Sequence, residues 1–560
     1  MHIESPVRAV ATHGAGTSTL AVAAGFAAVA VGCVLRLDQI GAQVLIDDEW
    51  HAVHQVLART PGDMLLDFGY SDYSIPLGVL AWLESRAFGL SESLLRAPML
   101  VCGIATLVAF PLYVARRLPP ATVAVFAWLL AISPLLVIYS RMARPYAITL
   151  LLGWTAHAAF RRFWDQPQGG ARAGLLYGAA ATLATWLHPI IGPFVLAPFV
   201  WAMFELRRVP ESQRRLRLRR LAGLALPTAA AMAVLMLPPL LAHPFALIGK
   251  GGVDSPSVET LVGAAHAWLG TPHGAVVLLC LALAALGARD VTRALPEART
   301  GALGVALTFL AIVATRPAWS HNAIAVARYL LPFVPLLLLA VAAGAVRAAR
   351  WMGAATGPRR ALAAAIATVP CVALAVHSPL YDLLRRPNSQ TLHLLYHFDF
   401  RPDRNAYLPY VDKIPMSPFW ISLAAFPRDS LFVVAAPFHF ESYNWDAPRW
   451  ERLSGQRVVP AFLTGFCVGE RFGEVPVDRA FRFRNAVHLA DRASLAARGV
   501  DYIVWQKPFE HPFRGGEEVV GAATAHCEAK LREALGPAAY EDHALVAYRL
   551  KPARKVTDAP

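Results

Sequence analysis

The 560-residue chain is 56% hydrophobic and only 16% charged, whereas soluble globular proteins have about 45–50% apolar and about 25% charged residues. Together with a mean hydropathy of +0.44, this composition excludes a disordered chain and an ordinary soluble enzyme. The net charge of +14 reflects the arginines that membrane proteins concentrate in cytoplasmic loops, so we expect no nucleic-acid partner.

Apolar segments long enough to cross a bilayer, which takes about 20 residues, recur along the first two thirds of the chain. We predict spans at residues 18–36, 97–115, 121–139, 145–163, 172–188, 190–206, 221–242, 274–289, 301–315, 329–347 and 361–378. The first is interpreted as a retained span, with a cleaved signal peptide as the alternative. A further stretch, 73–90, contains Pro76, Glu84 and Arg86 and fits either a span or an interfacial helix.

Basic residues decide the sidedness of these spans. If the N-terminus is cytoplasmic and 73–90 lies on the outer surface, every strongly basic short loop falls inside, including the arginine-rich run 207–220. We therefore interpret that run as a topology determinant, and not as a nucleic-acid patch. Eleven spans, an odd number, place everything after Ser378 outside the cytoplasm. The arginine- and alanine-rich composition hints at a bacterial genome, and we expect the protein in a bacterial cytoplasmic (inner) membrane.

Two domains are predicted from the change in composition near residue 378. Residues 1–378 form a transmembrane domain with a long first outer loop at 37–96, and residues 379–560 form a soluble extracytoplasmic α/β domain. In the second part, apolar strand patterns alternate with helical stretches. The strands are expected at 431–436, 500–505 and 544–550, and the helices near 446–453, 490–498 and 526–535.

The tail contains two cysteines, Cys467 and Cys527, whereas the other four lie in apolar runs. Because the tail is predicted to face an oxidising compartment, the two could form a disulfide. Two separate buried thiols are the alternative, since the sequence does not give the distance between them.

An acidic group, Asp47-Asp48-Glu49, follows the first span directly. Carboxylates beside hydrocarbon are costly and indicate a functional site. They could accept a proton from an incoming hydroxyl or amine, or hold a divalent metal. The alternative is that Asp47 and Asp48 only cap the helix that begins at Glu49.

Arginines occur in two short outer loops where the positive-inside rule disfavours them. Arg141 and Arg144 lie in one loop, with Arg328 and Tyr329 at the end of the other. Guanidinium groups suit phosphate binding, and snorkelling arginines without a ligand are the alternative. The predicted spans contain acidic residues only near their ends, which argues against an ion-coupled transporter.

In order and sidedness, these motifs resemble the polyprenyl-phosphate-dependent glycosyltransferases of the GT-C fold. The nearest groups are the dolichyl-phosphate-mannose–protein mannosyltransferases and the lipid A aminoarabinose transferases. The resemblance covers roughly residues 18–350. The Lys and the first Pro of the latter group's Lys-Pro-Pro-Leu motif are missing, and Tyr73, Ser74 and Ile75 stand there. The matching positions are Asp48-Glu49, Ser74 to Leu77, Phe88-Gly89, Arg96, Ser133-Pro134, Arg141 to Tyr146, and Arg328-Tyr329-Leu330 with Pro332.

The resemblance implies an inverting hexosyl or pentosyl transfer from a polyprenyl-phosphate donor to an extracytoplasmic acceptor: a cell-envelope lipid, a glycan or a protein. Asp48 would be the general base, and Asp47 or Glu49 would assist it or bind a metal. The lipid tail would lie in a groove between spans. The substrate-binding residues would be Arg96, Arg141, Arg144, Tyr146, Arg328 and Tyr329.

Several points stay open at this stage. The sugar and the acceptor are not determined, and neither is the need for a divalent metal at Asp47, Asp48 and Glu49; no other cofactor is expected. A flippase or transporter of a lipid-linked substrate is one alternative function. A ligase or polymerase of cell-surface glycan is another.

Overall fold

A computed structural model describes most of the chain. The described residues are 15–40, 45, 47–68, 74–166, 170–245, 251–351, 357–385, 399–404, 416–436, 447–460, 462–464, 486–488, 496–497, 499–510, 519–520 and 525–550.

Helices account for nearly all of the described chain up to residue 385. Those of the first half are α1 Ala15–Leu37, α2 Trp50–Ala58, α3 Pro61–Leu65, α4 Ile75–Ala87, α5 Glu92–Ala115, α6 Pro120–Ile132, α7 Pro134–Ser140, α8 Tyr146–Asp165, α9 Ala171–Leu187, α10 Gly192–Leu206 and α11 Glu211–Ala242. They continue with α12 Val258–Leu269, α13 Gly274–Ala294, α14 Pro296–Thr315, α15 Ala323–Tyr329, α16 Phe333–Trp351, α17 Gly357–Val376 and α18 Leu380–Arg385.

Each of the eleven predicted spans coincides with one of these helices, or with the pair α6 and α7. Seven helices of the described residues are long and apolar enough to cross a membrane, and the α6–α7 pair, bent by 57°, makes up to eight. The predicted multi-pass helical architecture is confirmed at this level, and the number eleven stays a prediction.

The ambiguous segment 73–90 contains the 13-residue helix α4. At 1.5 Å per residue it is about 20 Å long, shorter than the roughly 30 Å hydrocarbon core. It packs against α2 and α3, which belong to the same loop. These features support the prediction of an outer surface helix.

Two spans are interrupted where proline lacks the backbone N–H that would continue a helix. Pro134 follows Ser133 at the break between α6 and α7, and Pro332 lies between α15 and α16. The short helices α7 and α15 both contribute to the largest apolar core of the described residues. The breaks therefore place short helices and their ends inside the bundle, where Arg141, Arg144 and Arg328 lie.

Glycines allow close approach at two places in this core. Gly270 ends α12 with φ +73°, and a Cβ there would overlap the ring of Pro134 at the break before α7. Gly344 of α16 lies against the backbone carbonyl of Leu283 in α13, which leaves no room for a side chain. Small residues of this kind let helices in a membrane pack backbone to backbone.

The tail contains a five-stranded sheet in the order β2-β1-β5-β9-β8. The three predicted strands are confirmed, and they are the adjacent central strands β1, β5 and β9; β5 is parallel to β1 and antiparallel to β9. The strands of the sheet are β1 Phe432–Ala436, β2 Arg457–Pro460, β5 Tyr502–Gln506, β8 Tyr540–Glu541 and β9 Leu545–Arg549. Two further pairs are formed by β3 Phe462–Thr464 with β4 Ala486–His488, and by β6 Phe509–Glu510 with β7 Val519–Val520.

Helices cover both faces of the sheet. Leu531 and Leu535 of α21, Ala525–Leu535, pack on one face. The short helix α19, Pro418–Ser422, and α20, Ala447–Ser454, pack on the other. Two of the three predicted tail helices are thus confirmed, and the third, near 490–498, lies almost entirely outside the described residues.

The chain after residue 385 also touches the helical part. Phe400 is buried in the largest apolar core, and Arg401 forms an ion pair with Glu259 of α12 at 2.9 Å. The boundary at residue 378 stays a prediction.

A reporter that is active only outside the cytoplasm should work when fused after Ser378 and fail after Arg215. We expect this result because arginine-rich loops stay on the cytoplasmic side of the membrane, which fixes the orientation of the spans between them. A third fusion, after Arg350, provides the control, because one helix, α17, separates it from Ser378. We expect the Arg350 fusion to be inactive; the opposite pattern at all three positions would reverse the topology.

Cys527 is disulfide-bonded, and its predicted partner Cys467 lies outside the described residues. Cys33, Cys102, Cys280 and Cys371 are free thiols. The predicted bridge would close a loop of 527 − 467 = 60 residues, for which the chain-entropy model gives about 4 kcal/mol of stabilisation.

Thiol labelling of denatured protein should therefore modify four cysteines before reduction and all six after it. In Cys527→Ser, Cys467 should become reactive without reductant. Labelling of both Cys467 and Cys527 in the unreduced wild type would contradict the pairing.

Candidate functional site

Asp48 lies at the centre of a buried cluster that joins distant parts of the chain. Residues Asp47–Glu49 form one turn of 3-10 helix before α2. The Oδ2 atom of Asp48 accepts a hydrogen bond from Nη1 of Arg328 at 2.8 Å, and Nη2 of Arg144 lies 3.5 Å from the same oxygen. Both Arg144 and Arg328 are buried. The two predicted outer loops that contain unexpected arginines are therefore brought to one carboxylate.

The helix-capping interpretation of Asp48 is not supported. Glu49, and not Asp48, occupies the N-cap position of α2, and the side chain of Glu49 makes no capping hydrogen bond. The Oδ1 atom of Asp48 instead lies 3.5 Å from Nε2 of His51, three residues further along the chain. The side chain of Asp47 is outside the described residues.

Electrostatics keep Asp48 ionised. Burial would raise its pKa, but Arg144, then Arg328, and then a hydrogen bond to His51 hold the pKa well below the usual range. Because the pKa of Asp48 is lower in the folded state, ionised Asp48 with its partners stabilises the fold at any pH above the ordinary carboxyl pKa. This stabilisation is lost as the pH falls through the lowered pKa of Asp48.

In any reaction that uses ionised Asp48, kcat/KM should fall when Asp48 becomes protonated at low pH, because kcat/KM reports the free enzyme. The midpoint of this acid limb should therefore lie below about pH 3.9, the pKa of a free aspartate. We expect this limb in a pH–rate profile of the wild type. The Arg144→Gln variant is the comparison: it should shift the limb upwards, and an unchanged limb would contradict the electrostatic assignment.

Glu49 and Arg96 form a second, fully buried pair. Nε and Nη2 of Arg96 donate to the two carboxylate oxygens at 2.7 and 2.5 Å, and both side chains are 0% exposed. Oε1 of Glu49 also accepts the backbone N–H of Ala143 at 2.8 Å. This bidentate pair ties the turn that contains Asp48 to α5 and to the loop that contains Arg144.

Arg141 has a different environment. Its Nη1 atom donates to the backbone carbonyls of Leu35, Arg36 and Asp38 at 3.1, 3.1 and 2.6 Å. These carbonyls lie at the C-terminal end of α1, where a cation favours the helix dipole. The loop arginine thus anchors the end of the first predicted span beside the cluster.

Aromatic side chains surround the guanidinium of Arg328. It lies 5.7 Å from the ring centre of Tyr146 and 5.6 Å from that of Tyr329. His188 lies between the two tyrosines, at ring-centre distances of 5.3 and 5.7 Å, and Tyr139 packs edge-on against Tyr146 at 4.8 Å. Cation–π contacts of this kind orient a guanidinium group in a site with little water.

Two buried guanidinium groups of the cluster, those of Arg144 and Arg328, face the same carboxylate, that of Asp48. Guanidinium groups placed in this way suit an anion. A phosphate group supplies matching charge and acceptor oxygens.

The described carboxylates do not fit a divalent cation. Both oxygens of Glu49 accept hydrogen bonds from Arg96, and Asp48 faces two guanidinium groups that would repel a second cation. Within the described part of the chain, no group of three His, Cys, Asp or Glu residues could hold a metal ion.

Most of the residues of this cluster, but not all of them, were predictable from the sequence. The fold brings together eight of the predicted site residues: Asp48, Glu49, Arg96, Arg141, Arg144, Tyr146, Arg328 and Tyr329. Tyr73 lies outside the described residues. His51 was not among the predicted site residues, although its spacing of three residues from Asp48 could have indicated it. His188 was not among the predicted site residues either, because a lone His-Pro at the end of a helix gives no indication of two tyrosine neighbours.

An apolar cavity of about 170 Å³ lies deeper in the bundle, between α5, α6, α8, α14 and α16. Leu151 and Trp154 line it, and they follow Tyr146 on α8 by five and eight residues. The indole of Trp154 donates to the carbonyl of Pro332 at 3.0 Å, just after α15. A cavity suited to hydrocarbon thus lies roughly 10 Å along α8 from the polar cluster.

No family model and no curated protein matches the chain. Among solved structures, it is similar to ArnT from Cupriavidus metallidurans in the apo state, at 13% identity and a TM-score of 0.42, over 96% of this chain and 99% of that chain. A structure of ArnT from the same organism bound to undecaprenyl phosphate gives 13% identity and a TM-score of 0.38 over the same shares. These values are too low to assign a fold or a function to the chain.

Proposed function

We propose that this protein is a membrane glycosyltransferase of the GT-C type, which moves a sugar from a polyprenyl-phosphate donor to an acceptor outside the cytoplasm. The observation that supports this most directly is the buried carboxylate of Asp48 between Arg144 and Arg328. A base and an anion-binding pair are the two elements that such a transfer needs.

In the proposed reaction, the acceptor hydroxyl or amine gives its proton to Asp48. Its oxygen or nitrogen then bonds to the anomeric carbon, and the bond from that carbon to the phosphate oxygen breaks. The electron pair leaves with the polyprenyl phosphate. If attack and departure occur on opposite sides of the sugar, the configuration at the anomeric carbon inverts.

Arg144 and Arg328 would bind the donor phosphate, where negative charge grows in the transition state. They now contact Asp48, so an entering phosphate competes with that carboxylate for both guanidinium groups. The exchange would release Asp48 towards the acceptor. Binding of the donor thus prepares the base.

The remaining predicted residues would position this machinery. Arg96 is fully engaged by Glu49, and Arg141 holds the end of α1, so we assign both to the support of the site. Tyr146 and Tyr329 would orient Arg328. The apolar cavity beside Trp154 has room for a short stretch of an isoprenoid chain.

The test uses the purified protein in lipid nanodiscs with a panel of polyprenyl-phosphate sugars labelled in the sugar: mannose, glucose, galactose and aminoarabinose. Extracted bacterial envelope lipids and glycans serve as acceptors. We expect one donor to give labelled product together with free polyprenyl phosphate, and Asp48→Asn to form both more slowly, by about 10²-fold or more.

A flippase would behave differently. It would move the lipid-linked sugar across a proteoliposome membrane without breaking the bond to phosphate. Movement without release of polyprenyl phosphate would overturn the proposed transfer.

A further inference from the structure

The loop between α14 and α15 presents an exposed tryptophan on an unfavourable backbone. Trp319 has φ +68° and Arg316 has φ +49°. Bulky residues rarely adopt positive φ, and each such residue costs roughly 1–3 kcal/mol unless its surroundings enforce the conformation. Glycine would adopt these angles without strain. The presence of tryptophan at this position therefore indicates a role for its side chain.

Hydrogen bonds to a neighbouring loop hold this conformation. The backbone N–H of Trp319 donates to Oδ2 of Asp254 at 2.6 Å, and the hydroxyl of Ser320 donates to the carbonyl of Asp254 at 2.8 Å. The hydroxyl of Thr260 in α12 donates to the carbonyl of His321 at 2.7 Å. Asp254 and Thr260 therefore hold the loop in this conformation. A strained backbone that its surroundings hold in place is typical of binding sites.

The exposed side chains of this loop combine a flat apolar ring with hydrogen-bonding groups. Trp319 is 43% exposed, and its ring centre lies 6.1 Å from that of His321. Nδ1 of His321 lies 3.1 Å from Oδ2 of Asp254, and the His321 side chain is 45% exposed. If Nδ1 donates its proton to Asp254, Nε2 of the neutral ring is an acceptor for a hydroxyl group.

The same loop leads directly to the candidate active site. Asn322 precedes α15 and Arg328 lies near its end, so six residues, or about 9 Å of helix, separate them. The predicted topology places this loop on the outer side. An acceptor that contacts Trp319 could therefore present a group to Asp48.

We propose that Trp319, His321 and Asp254 form a saccharide-binding subsite for the acceptor. The C–H face of a sugar ring would pack on the indole, and its hydroxyl groups would bond to the imidazole and the carboxylate. This inference rests on the proposed function for its role, but the binding itself requires no transfer. It makes the acceptor a glycan or a glycolipid.

The experiment measures binding of neutral saccharides to the full-length protein in nanodiscs by saturation-transfer NMR. The probes are maltose, lactose and chitobiose with their trisaccharides. The variants are Trp319→Gly, which fits the positive φ, and Trp319→Phe, which retains an aromatic ring. Trp351→Ala, at the exposed end of α16, is the control.

We expect at least one saccharide to bind the wild type, and Trp319→Gly to bind it roughly tenfold more weakly, as the loss of one ring contact predicts. Trp319→Phe should retain most of the affinity, and Trp351→Ala all of it. Equal binding by Trp319→Gly, or no binding of any probe to the wild type, would overturn the subsite.

A membrane-anchoring tryptophan gives another pattern. In that case Trp319→Gly would lower the yield of inserted protein and leave saccharide binding unchanged, which also overturns the proposal. Since the assay needs neither donor nor turnover, failure of the proposed transferase activity would be seen separately.

Discussion

Replacement of Asp48 by asparagine should lower the rate of sugar transfer by about 10²-fold or more, the usual contribution of a general base. Asparagine keeps the size of the side chain and its ability to accept a hydrogen bond from Arg328. It cannot take a proton from the acceptor. Transfer should be measured with the labelled donor identified in the panel.

Binding of free polyprenyl phosphate separates this role from a structural one. In Asp48→Asn, Arg144 and Arg328 lose a competing negative charge, so their affinity for the phosphate should be retained or increased. Asp165→Asn is the matched control, because Asp165 pairs with Arg161 at the far end of α8 and is half exposed. Loss of both transfer and phosphate binding in Asp48→Asn would assign Asp48 to the fold and not to the chemistry.

Replacement of Arg96 by leucine should destabilise the protein by about 3–5 kcal/mol, the usual cost of leaving one member of a buried ion pair without its partner. The remaining carboxylate of Glu49 would lie in a fully buried position. The turn that contains Asp48 would also lose its tie to α5. Thermal unfolding of the purified protein measures the effect.

The double variant Glu49→Leu with Arg96→Leu distinguishes charge from packing. It should be more stable than either single variant, because no charge is left unpaired. Arg161→Leu breaks the partly exposed pairs with Asp165 and Glu205 and should change stability by about 1 kcal/mol or less. An unfolding midpoint of Arg96→Leu equal to that of the wild type would contradict the role assigned to this pair.

The helices and strands could be predicted because their signals are local. Hydropathy alone located ten helices and the α6–α7 pair, and short apolar runs located the three central strands of the sheet. The bend between α6 and α7 was not predicted, although Pro134 marks it. The packing at this bend depends on Gly270, which lies at the end of α12 and contacts the ring of Pro134.

The site was predictable in its charges but not in its pairings. Arginines in the predicted outer loops indicated anion binding, and two of them, Arg144 and Arg328, did meet Asp48 in space. Arg96, which pairs with Glu49, was indicated only by the family resemblance. Arg141 has the same sequence signal as Arg144, yet it donates to the carbonyls at the end of α1. Sequence gives the charge of a guanidinium group, whereas its partner depends on tertiary contacts.

Backbone strain had no sequence signal either. Nothing in the residues around Trp319 indicates a positive φ, because that conformation is imposed by Asp254, 65 positions away. The proposed saccharide subsite could therefore be inferred only from the structure.

The most direct test of the central claim is the binding of undecaprenyl phosphate to the wild type and to Arg328→Gln, with undecaprenol as the ligand that lacks the phosphate. Arg316→Gln, which changes an exposed arginine in the same predicted outer loop, is the control. Loss of a charge-assisted hydrogen bond predicts a Kd for undecaprenyl phosphate about 10- to 100-fold higher in Arg328→Gln, with undecaprenol binding unchanged. Equal affinity of Arg328→Gln and wild type for undecaprenyl phosphate would contradict the assignment of this cluster as the phosphate site.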